Sequence, residues 1–178
     1  MPERILVVED DATIRVTLAD VLGKLGHEVD QAGTGAEALE LFRARDYDLA
    51  LLDLHLPDRN GLDVLKDMRE SDEQALVVVM TAYPEVRTAV ASVKAGAYDY
   101  LNKPFELDDL KELVKRALET RRLRREVARL SISAARAAPI EGMVGSSPAF
   151  AATLEVTRKI AAAGRVPVLI RGESGTGK

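Results

Sequence analysis

The feature that most restricts the fold of this chain is a set of short apolar runs that alternate with amphipathic segments. The clearest runs lie at residues 5–8, 49–52 and 75–80. Each run is continuous and does not alternate with polar residues, which is typical of strands buried on both faces of a parallel sheet. Two weaker strands are expected around Val29 and Tyr100. Together these segments predict a five-stranded parallel sheet.

The segments between the strands have the periodicity of helices. They cover residues 12–25, 36–45, 62–70 and 85–95, and their ends carry Gly26, Gly35, Gly61 and Gly96. Repeated alternation of strand and helix predicts a doubly wound α/β domain. In such a domain ligands bind at the carboxyl ends of the strands, near the point where the strand order reverses.

The rest of the chain is organised differently. Residues 106–135 contain no helix breaker and predict one long helix, whose second half projects or pairs with another helix. Residues 134–139 are expected to form a flexible joint. Ser147 and Pro148 then mark the start of a helix that runs to about residue 163. A strand-like run follows at 166–170.

Composition excludes several classes of function. Cysteine is absent, which rules out disulfides and thiolate metal sites, and the net charge of -4 gives no general attraction to nucleic acid or membrane. His27 and His55 match no zinc spacing, and His27 is expected near solvent in a turn. The basic cluster at 121–125 is interpreted as a solvated helix face, with DNA contact as the weaker alternative. A cytoplasmic protein without a membrane segment is expected.

Chemistry-bearing side chains follow four of the predicted strands. Glu9 and Asp10 follow the first strand, Asp53 ends the third, Thr81 ends the fourth and Lys103 follows the fifth. Clustered carboxylates repel one another unless a cation lies among them, and Mg²⁺ prefers such oxygen ligands. An aspartate beside Mg²⁺ is a suitable nucleophile for a phosphoryl group, and a lysine neutralises charge on the transferring oxygens. For any one aspartate, a helix cap or turn role is the alternative.

Four segments around these side chains resemble the receivers of bacterial response regulators. They are residues 7–11, 51–61, 80–82 and 99–105, and the resemblance covers about residues 3–120. It implies a flavodoxin-like (βα)₅ fold for a receiver domain at 1–120. It also implies that a sensor histidine kinase phosphorylates Asp53.

The resemblance further assigns roles to single residues. Asp10 and Asp53 are expected to bind Mg²⁺ directly, together with the backbone carbonyl of His55, whereas Glu9 acts through water. Lys103 is expected to contact the phosphoryl group and to precede a cis bond to Pro104. Thr81 and Tyr100 match the switch pair of the family. For Tyr100, a half-buried edge aromatic with a solvated hydroxyl is the alternative.

The end of the chain has the pattern of a phosphate-binding loop. A glycine-rich stretch follows the strand-like run, and its backbone N–H groups are suited to cradle phosphate. The predicted nucleotide-binding residues are Gly172, Glu173, Ser174, Gly175, Thr176, Gly177 and Lys178. With residues 143–150, this loop resembles the opening of the AAA+ domain of sigma-54-dependent activators. Phe150 stands where methionine is more usual in that family.

The order of receiver, helical linker and AAA+ opening resembles the NtrC class. The predicted divisions are a receiver at 1–120, a dimerisation linker at 106–138 and the first part of an AAA+ domain at 140–178. The chain is expected to be a phosphoacceptor switch and not an enzyme, with ATP bound only in the full-length protein. Sigma-54 RNA polymerase and DNA are expected partners through regions outside this chain. A P-loop ATPase active in itself and a non-phosphorylated dimerisation scaffold are the alternative functions.

Overall fold

The computed structural model describes residues 2–82, 86–137 and 147–162. The elements in this part of the chain are, in order, β1 (Arg4–Val8), α1 (Ala12–Lys24), β2 (Glu28–Ala32), α2 (Gly35–Ala44), β3 (Leu49–Asp53), α3 (Gly61–Ser71), β4 (Val77–Thr81), α4 (Val86–Lys94), β5 (Asp99–Asn102), α5 (Leu107–Ala137) and α6 (Pro148–Ala162). The chain divides into two compact units, Met1–Arg122 and Leu123–Lys178.

The first unit is built on one parallel sheet with the strand order β2-β1-β3-β4-β5. In the register, Val8 at the end of β1 is the partner of Ala32 on one side and of Leu52 on the other. The chain therefore reverses its direction of winding between β1 and β3, which is the topological switch point of a doubly wound sheet. The predicted (βα)₅ flavodoxin-like fold is confirmed.

Two separate clusters of buried side chains explain why the strand runs are apolar without interruption. Leu6 and Val8 of β1 pack with the buried residues of α2 and α3. Ile5 and Val7 pack on the other side with those of α1 and α5. Because successive side chains of a strand point to opposite faces, a sheet covered by helices on both faces needs apolar residues at every position.

Local capping places the helix ends beside the sheet. The Asp11 carboxylate accepts from the N–H groups of Thr13 at 2.7 Å and Ile14 at 3.1 Å, and α1 begins directly after it. Gly26 and Gly96 follow α1 and α4 with φ of 92° and 93°. These values lie in the left-handed region that glycine tolerates best, as the positions of the two glycines predicted.

The long helix α5 extends further than predicted. It includes residues 134–137, which were expected to belong to a flexible joint, because alanine and arginine are strong helix formers. The helix predicted after Ser147 is confirmed as α6, and the Ser147 hydroxyl accepts from the N–H of Phe150 at 3.1 Å. The strand-like run at 166–170 and the loop at 172–178 lie outside the described residues. Among the described helices, none is long and apolar enough to cross a membrane.

The structure adds long-range contacts for two residues that the sequence placed near solvent, and it corrects the interpretation of Arg121. Residues 122–125 of the basic cluster are exposed, as interpreted, but Arg121 is only 9% exposed and its guanidinium binds the α3–β4 loop. His27 lies between α1 and β2 with its side chain 15% exposed, and its Nδ1 lies 3.1 Å from a Glu3 carboxylate oxygen. Both contacts join residues that are far apart in the sequence, so local periodicity carries no signal for them.

Candidate functional site

Three carboxylates meet at the carboxyl edge of the sheet. Glu9 and Asp10 follow β1, and Asp53 is the last residue of the adjacent β3. One carboxylate oxygen from each residue lies within 4.8 Å of those of the other two. Glu9 and Asp53 are buried, at 1% and 4% exposure, whereas Asp10 is exposed. The structure thus brings together the acidic residues that the sequence placed at this edge.

The Lys103 side chain completes the cluster and comes from the end of the edge strand β5. Its Nζ donates to a Glu9 oxygen at 2.5 Å and also to Asp53 Oδ2. The backbone holds the residue in place, since the Lys103 N–H donates to the Thr81 carbonyl at 2.7 Å. The bond from Lys103 to Pro104 is cis, as expected. Three carboxyl groups lie around one lysine amino group, so the acidic groups of the cluster outnumber its one basic group.

Burial and ion pairing act in opposite directions on this cluster. Burial raises the pKa of Glu9, and the hydrogen bond from Lys103 offsets only part of this effect. For Lys103, burial alone lowers the pKa, but the hydrogen bonds to Asp53 and Glu9 outweigh it and the pKa is raised. The lysine is therefore held as an ammonium ion in contact with two carboxylates.

Backbone contacts fix the positions of the acidic residues. The Arg15 guanidinium of α1 donates to the carbonyl of Glu9 at 2.6 Å and to that of Asp10 at 3.1 Å. The N–H of His55 donates to Asp53 Oδ1 at 2.9 Å. Sequence analysis missed Arg15. The signal in the sequence that could have identified it is its position one turn into α1, shortly after Glu9 and Asp10.

Gly61 allows the loop after β3 to fold back onto Asp53. A Cβ at this position would lie 2.4 Å from the Asp53 carbonyl oxygen and 2.5 Å from the Leu54 Cα, so only glycine fits. The N–H of Gly61 donates to the Leu54 carbonyl at 2.9 Å, at the point where α3 begins. The loop that carries His55 is closed by this contact.

Asp58 is a second residue that sequence analysis did not single out. Its carboxylate accepts from the N–H groups of Gly35 at 2.8 Å and Ala36 at 2.9 Å, at the first turn of α2. The Gly35 hydrogen bond is the main cause of a lowered pKa for Asp58, and the Ala36 bond adds to it. Asp58 thus ties the loop after Asp53 to the start of α2.

The donor set fits a hard divalent cation. Carboxylate oxygens from three residues lie close together, and such oxygen ligands are the ones that Mg²⁺ prefers in proteins. Within residues 2–82, 86–137 and 147–162, the group of side chains that could hold an ion offers carboxylate oxygens, which suit a hard cation. The residues that would hold the ion are Glu9, Asp10 and Asp53.

Thr81 and Tyr100 lie on neighbouring strands but in different surroundings. Thr81 is 3% exposed at the end of β4, and Tyr100 of β5 is 41% exposed. In the sheet register Thr81 is the partner of Asn102, two residues beyond Tyr100. The structure places Thr81 at the carboxyl edge with the acidic cluster and leaves the Tyr100 ring partly solvated.

A parallel sheet of this order, with an acidic cluster and a lysine at its carboxyl edge, defines a class of signalling domain. The family model of the response regulator receiver domain matches residues 5–115. The chain therefore belongs to the response regulators of two-component systems.

Individual relatives extend the similarity beyond the receiver. The chain is 38% identical to the regulatory protein AtoC of Escherichia coli K12 over 98% of its own length, and it spans 38% of AtoC. The crystal structure of NtrX from Brucella abortus in complex with ADP has a TM-score of 0.69 and 32% identity, covering 90% of this chain and 34% of that one. TrrA from Thermotoga maritima, in complex with Mg²⁺ and BeF, has a TM-score of 0.60 and 40% identity, covering 65% of this chain and 98% of that one. The NtrC-class membership predicted from the motifs is confirmed.

Proposed function

We propose that the chain is a phosphorylation-controlled switch and that Asp53 takes up a phosphoryl group from a sensor histidine kinase. The observation that carries this proposal is the convergence of Lys103, Glu9 and Asp10 on a buried aspartate. An isolated helix cap needs neither a second buried carboxylate nor an ammonium in contact with both. A site for transfer of an anionic phosphoryl group needs both features.

In the proposed reaction an Asp53 oxygen attacks the phosphorus of a phosphohistidine. The new O–P bond forms as the N–P bond breaks, and the leaving imidazole takes up a proton. Lys103 Nζ already contacts Asp53 Oδ2, so it is placed to neutralise charge on the transferring oxygens. Asp10, Asp53 and the His55 carbonyl would hold Mg²⁺ directly and Glu9 through water. The ion supplies further charge neutralisation when bound.

The switch would follow from the new charge on Asp53. Thr81 is buried at the same edge, and we propose that its hydroxyl moves to hydrogen-bond a phosphoryl oxygen. The ring of Tyr100, a residue that is 41% exposed, would then turn inward to fill the space. Such a change needs only a few kcal/mol of differential contacts between two states, which is typical of two-state switches.

The output is proposed to pass through α5 as a homodimer. Leu123, Val127 and Leu130 are 55%, 62% and 55% exposed, at spacings of four and three residues along the helix. This spacing is typical of a coiled-coil seam, so a second copy of the same helix is the expected partner. Residues 106–138 are accordingly proposed as the dimerisation linker between a receiver at 1–120 and an AAA+ part at 140–178.

The activity of the full-length protein is also a proposal. The chain spans 38% of AtoC, and the predicted loop from Gly172 to Lys178 resembles the ATP site of sigma-54 activators. We propose that the dimer controls an AAA+ ATPase, which acts on sigma-54 RNA polymerase and DNA through regions outside this chain. ATP would bind only in the full-length protein, and cytoplasmic location follows from these partners.

The test is phosphorylation by a small acyl phosphate with and without Mg²⁺, read by intact mass and by light scattering. The parent chain is expected to gain one phosphoryl group only when Mg²⁺ is present. Asp53→Asn is expected to gain none, whereas Asp20→Asn, which changes an exposed aspartate of α1, behaves as the parent. A chain that dimerises but takes up no phosphoryl group would instead be a scaffold, and ATP turnover by this chain would favour the ATPase alternative.

A further inference from the structure

Arg121 lies in the last turn of α5 that belongs to the first unit, and its side chain is directed into the protein. The residue is 9% exposed, although the neighbouring Arg122 and Arg124 are exposed. Its Nη1 donates to the Gln74 carbonyl at 2.7 Å, and its Nη2 donates to Asp72 Oδ2 at 3.2 Å. Both acceptors lie in the α3–β4 loop, so one guanidinium joins α5 to a loop 47 residues away.

The loop is folded so that both acceptors face the same donor. The N–H of Asp72 donates to the Met68 carbonyl at 2.9 Å and ends α3. The Asp72 Oδ1 accepts from the N–H of Gln74 at 2.8 Å, which leaves Oδ2 for Arg121. A planar guanidinium matches two acceptors held at fixed separation, which a lysine ammonium does not.

A second contact holds the same turn of α5. The hydroxyls of Thr120 and Tyr98 lie 3.1 Å apart, and Tyr98 is next to the start of β5. The Thr120 hydroxyl also donates to the Arg116 carbonyl at 2.9 Å within the helix. Two consecutive residues of α5 are thus attached to two different loops of the sheet.

The chemistry of the Arg121 contact favours a role in positioning over one in stability. Nε is buried and has no hydrogen-bond partner among the described residues. Burying a charged group carries a desolvation penalty that often cancels the gain from its ion pair. Such a pair fixes the orientation of the helix, because only one rotation of α5 about its axis brings the guanidinium onto both acceptors.

We propose that Arg121 is a positioning residue that anchors the turn of α5 from which the linker helix continues beyond the first unit. It fixes the rotation and register at which α5 continues past Arg122, and it transmits movements of the α3–β4 loop to the helix beyond. This role goes beyond the phosphoryl chemistry and does not depend on phosphorylation of Asp53. It concerns the state of the linker in either form of the switch.

The first test compares amide hydrogen exchange in the whole chain for Arg121→Gln and for the matched control Arg124→Gln. In Arg121→Gln, exchange of the amides at 119–125 is expected to be about ten-fold faster, since a buried charged hydrogen bond is lost. In Arg124→Gln, exchange at these amides should equal that of the parent. Equal exchange in the two variants would overturn the proposal.

The second test separates transmission from local stability. Asp72→Asn keeps an oxygen for the Gln74 N–H but removes the charge that faces Arg121. It is expected to speed exchange at amides 123–130 in the parent background and to have no such effect in the Arg121→Gln background. An equal effect in both backgrounds, or none in either, contradicts the proposal. Should Arg121→Gln fail to fold, Arg121→Lys provides the second background, because it keeps the charge without the two-pronged contact.

Discussion

Gly61 gives the sharpest test of how the fold positions Asp53. In Gly61→Ala the new Cβ would lie 2.4 Å from the Asp53 carbonyl oxygen and 2.5 Å from the Leu54 Cα, whereas real Cβ contacts essentially never fall below 3.0 Å. Both of these atoms belong to the backbone, so no side chain can rotate away. The end of β3 must shift, and Asp53 must shift with it.

The magnitude follows from the size of this overlap. Overpacking of a well-packed region costs about 1–3 kcal/mol, and we expect about 3 kcal/mol here because backbone has to move. At about 4 °C per kcal/mol for a domain of this size, the melting temperature should fall by roughly 12 °C. Phosphorylation should slow by at least about ten-fold, since small misplacements of reacting groups have large effects on rate.

The assay is thermal unfolding followed by circular dichroism, with phosphorylation by an acyl phosphate on the same samples. Gly23→Ala is the matched control, because a Cβ there meets nothing within 4 Å. Since Gly23 lies inside α1, this control should stabilise the protein by about 0.5–1 kcal/mol. A Gly61→Ala variant that melts and phosphorylates like the parent would show that the end of β3 accommodates the Cβ without moving Asp53.

Three further perturbations probe the loops and charges of the site. Asp58→Ala removes the acceptor at the start of α2 and should cost about 1 kcal/mol in urea unfolding at pH 7. Because the pKa of Asp58 is lowered from its usual 3.8 by the Gly35 hydrogen bond, this contribution is present above pH 3.8 and is lost as pH falls through the lower folded value. Lys103→Met should raise Mg²⁺ affinity about ten-fold in calorimetry while slowing phosphorylation, because the ammonium no longer competes for the carboxylates. Saturating Mg²⁺ should stabilise the parent by about 2.7 kcal/mol at 100 times its dissociation constant, and Asp10→Asn should weaken this effect.

Three results would contradict the expected roles of Asp58, Lys103 and Asp10. If the loss of unfolding free energy in Asp58→Ala stays constant down to the acid transition, the pKa of Asp58 is not lowered in the folded protein. Weaker Mg²⁺ binding in Lys103→Met would mean that the ammonium helps to arrange the carboxylates and does not compete with the ion. Stabilisation by Mg²⁺ that is unchanged in Asp10→Asn would place the ion outside the acidic cluster.

Local patterns in the sequence predicted the fold and the acidic cluster. The runs at 5–8 and 49–52 form adjacent strands. Asp10 and Asp53 follow or end these strands, so they lie close together at the carboxyl edge of the sheet, as predicted. Glycine positions predicted the turns after α1 and α4, because a positive φ is a local property. Motif spacing was sufficient here, since parallel strands place all their carboxyl ends at one edge.

Contacts that depend on tertiary packing could not be predicted in the same way. Asp58 binds a helix start 23 residues earlier, and Arg121 binds a loop 47 residues earlier. In the sequence Arg121 is one of four arginines in a cluster of five residues, and only the folded structure distinguishes the buried one. The end of α5 was placed too early, because the change in composition near residue 134 does not break a helix.

In the proposed switch, Asp53 itself carries the phosphoryl group. Borohydride reduction of the chain after treatment with acyl phosphate and Mg²⁺ converts a phosphorylated aspartate to homoserine, which peptide mass analysis then locates. Homoserine is expected at position 53 alone, and it should be lost when Mg²⁺ is removed. Homoserine at Asp10 or at another aspartate, with none at position 53, would mean that Asp53 is not the phosphoacceptor.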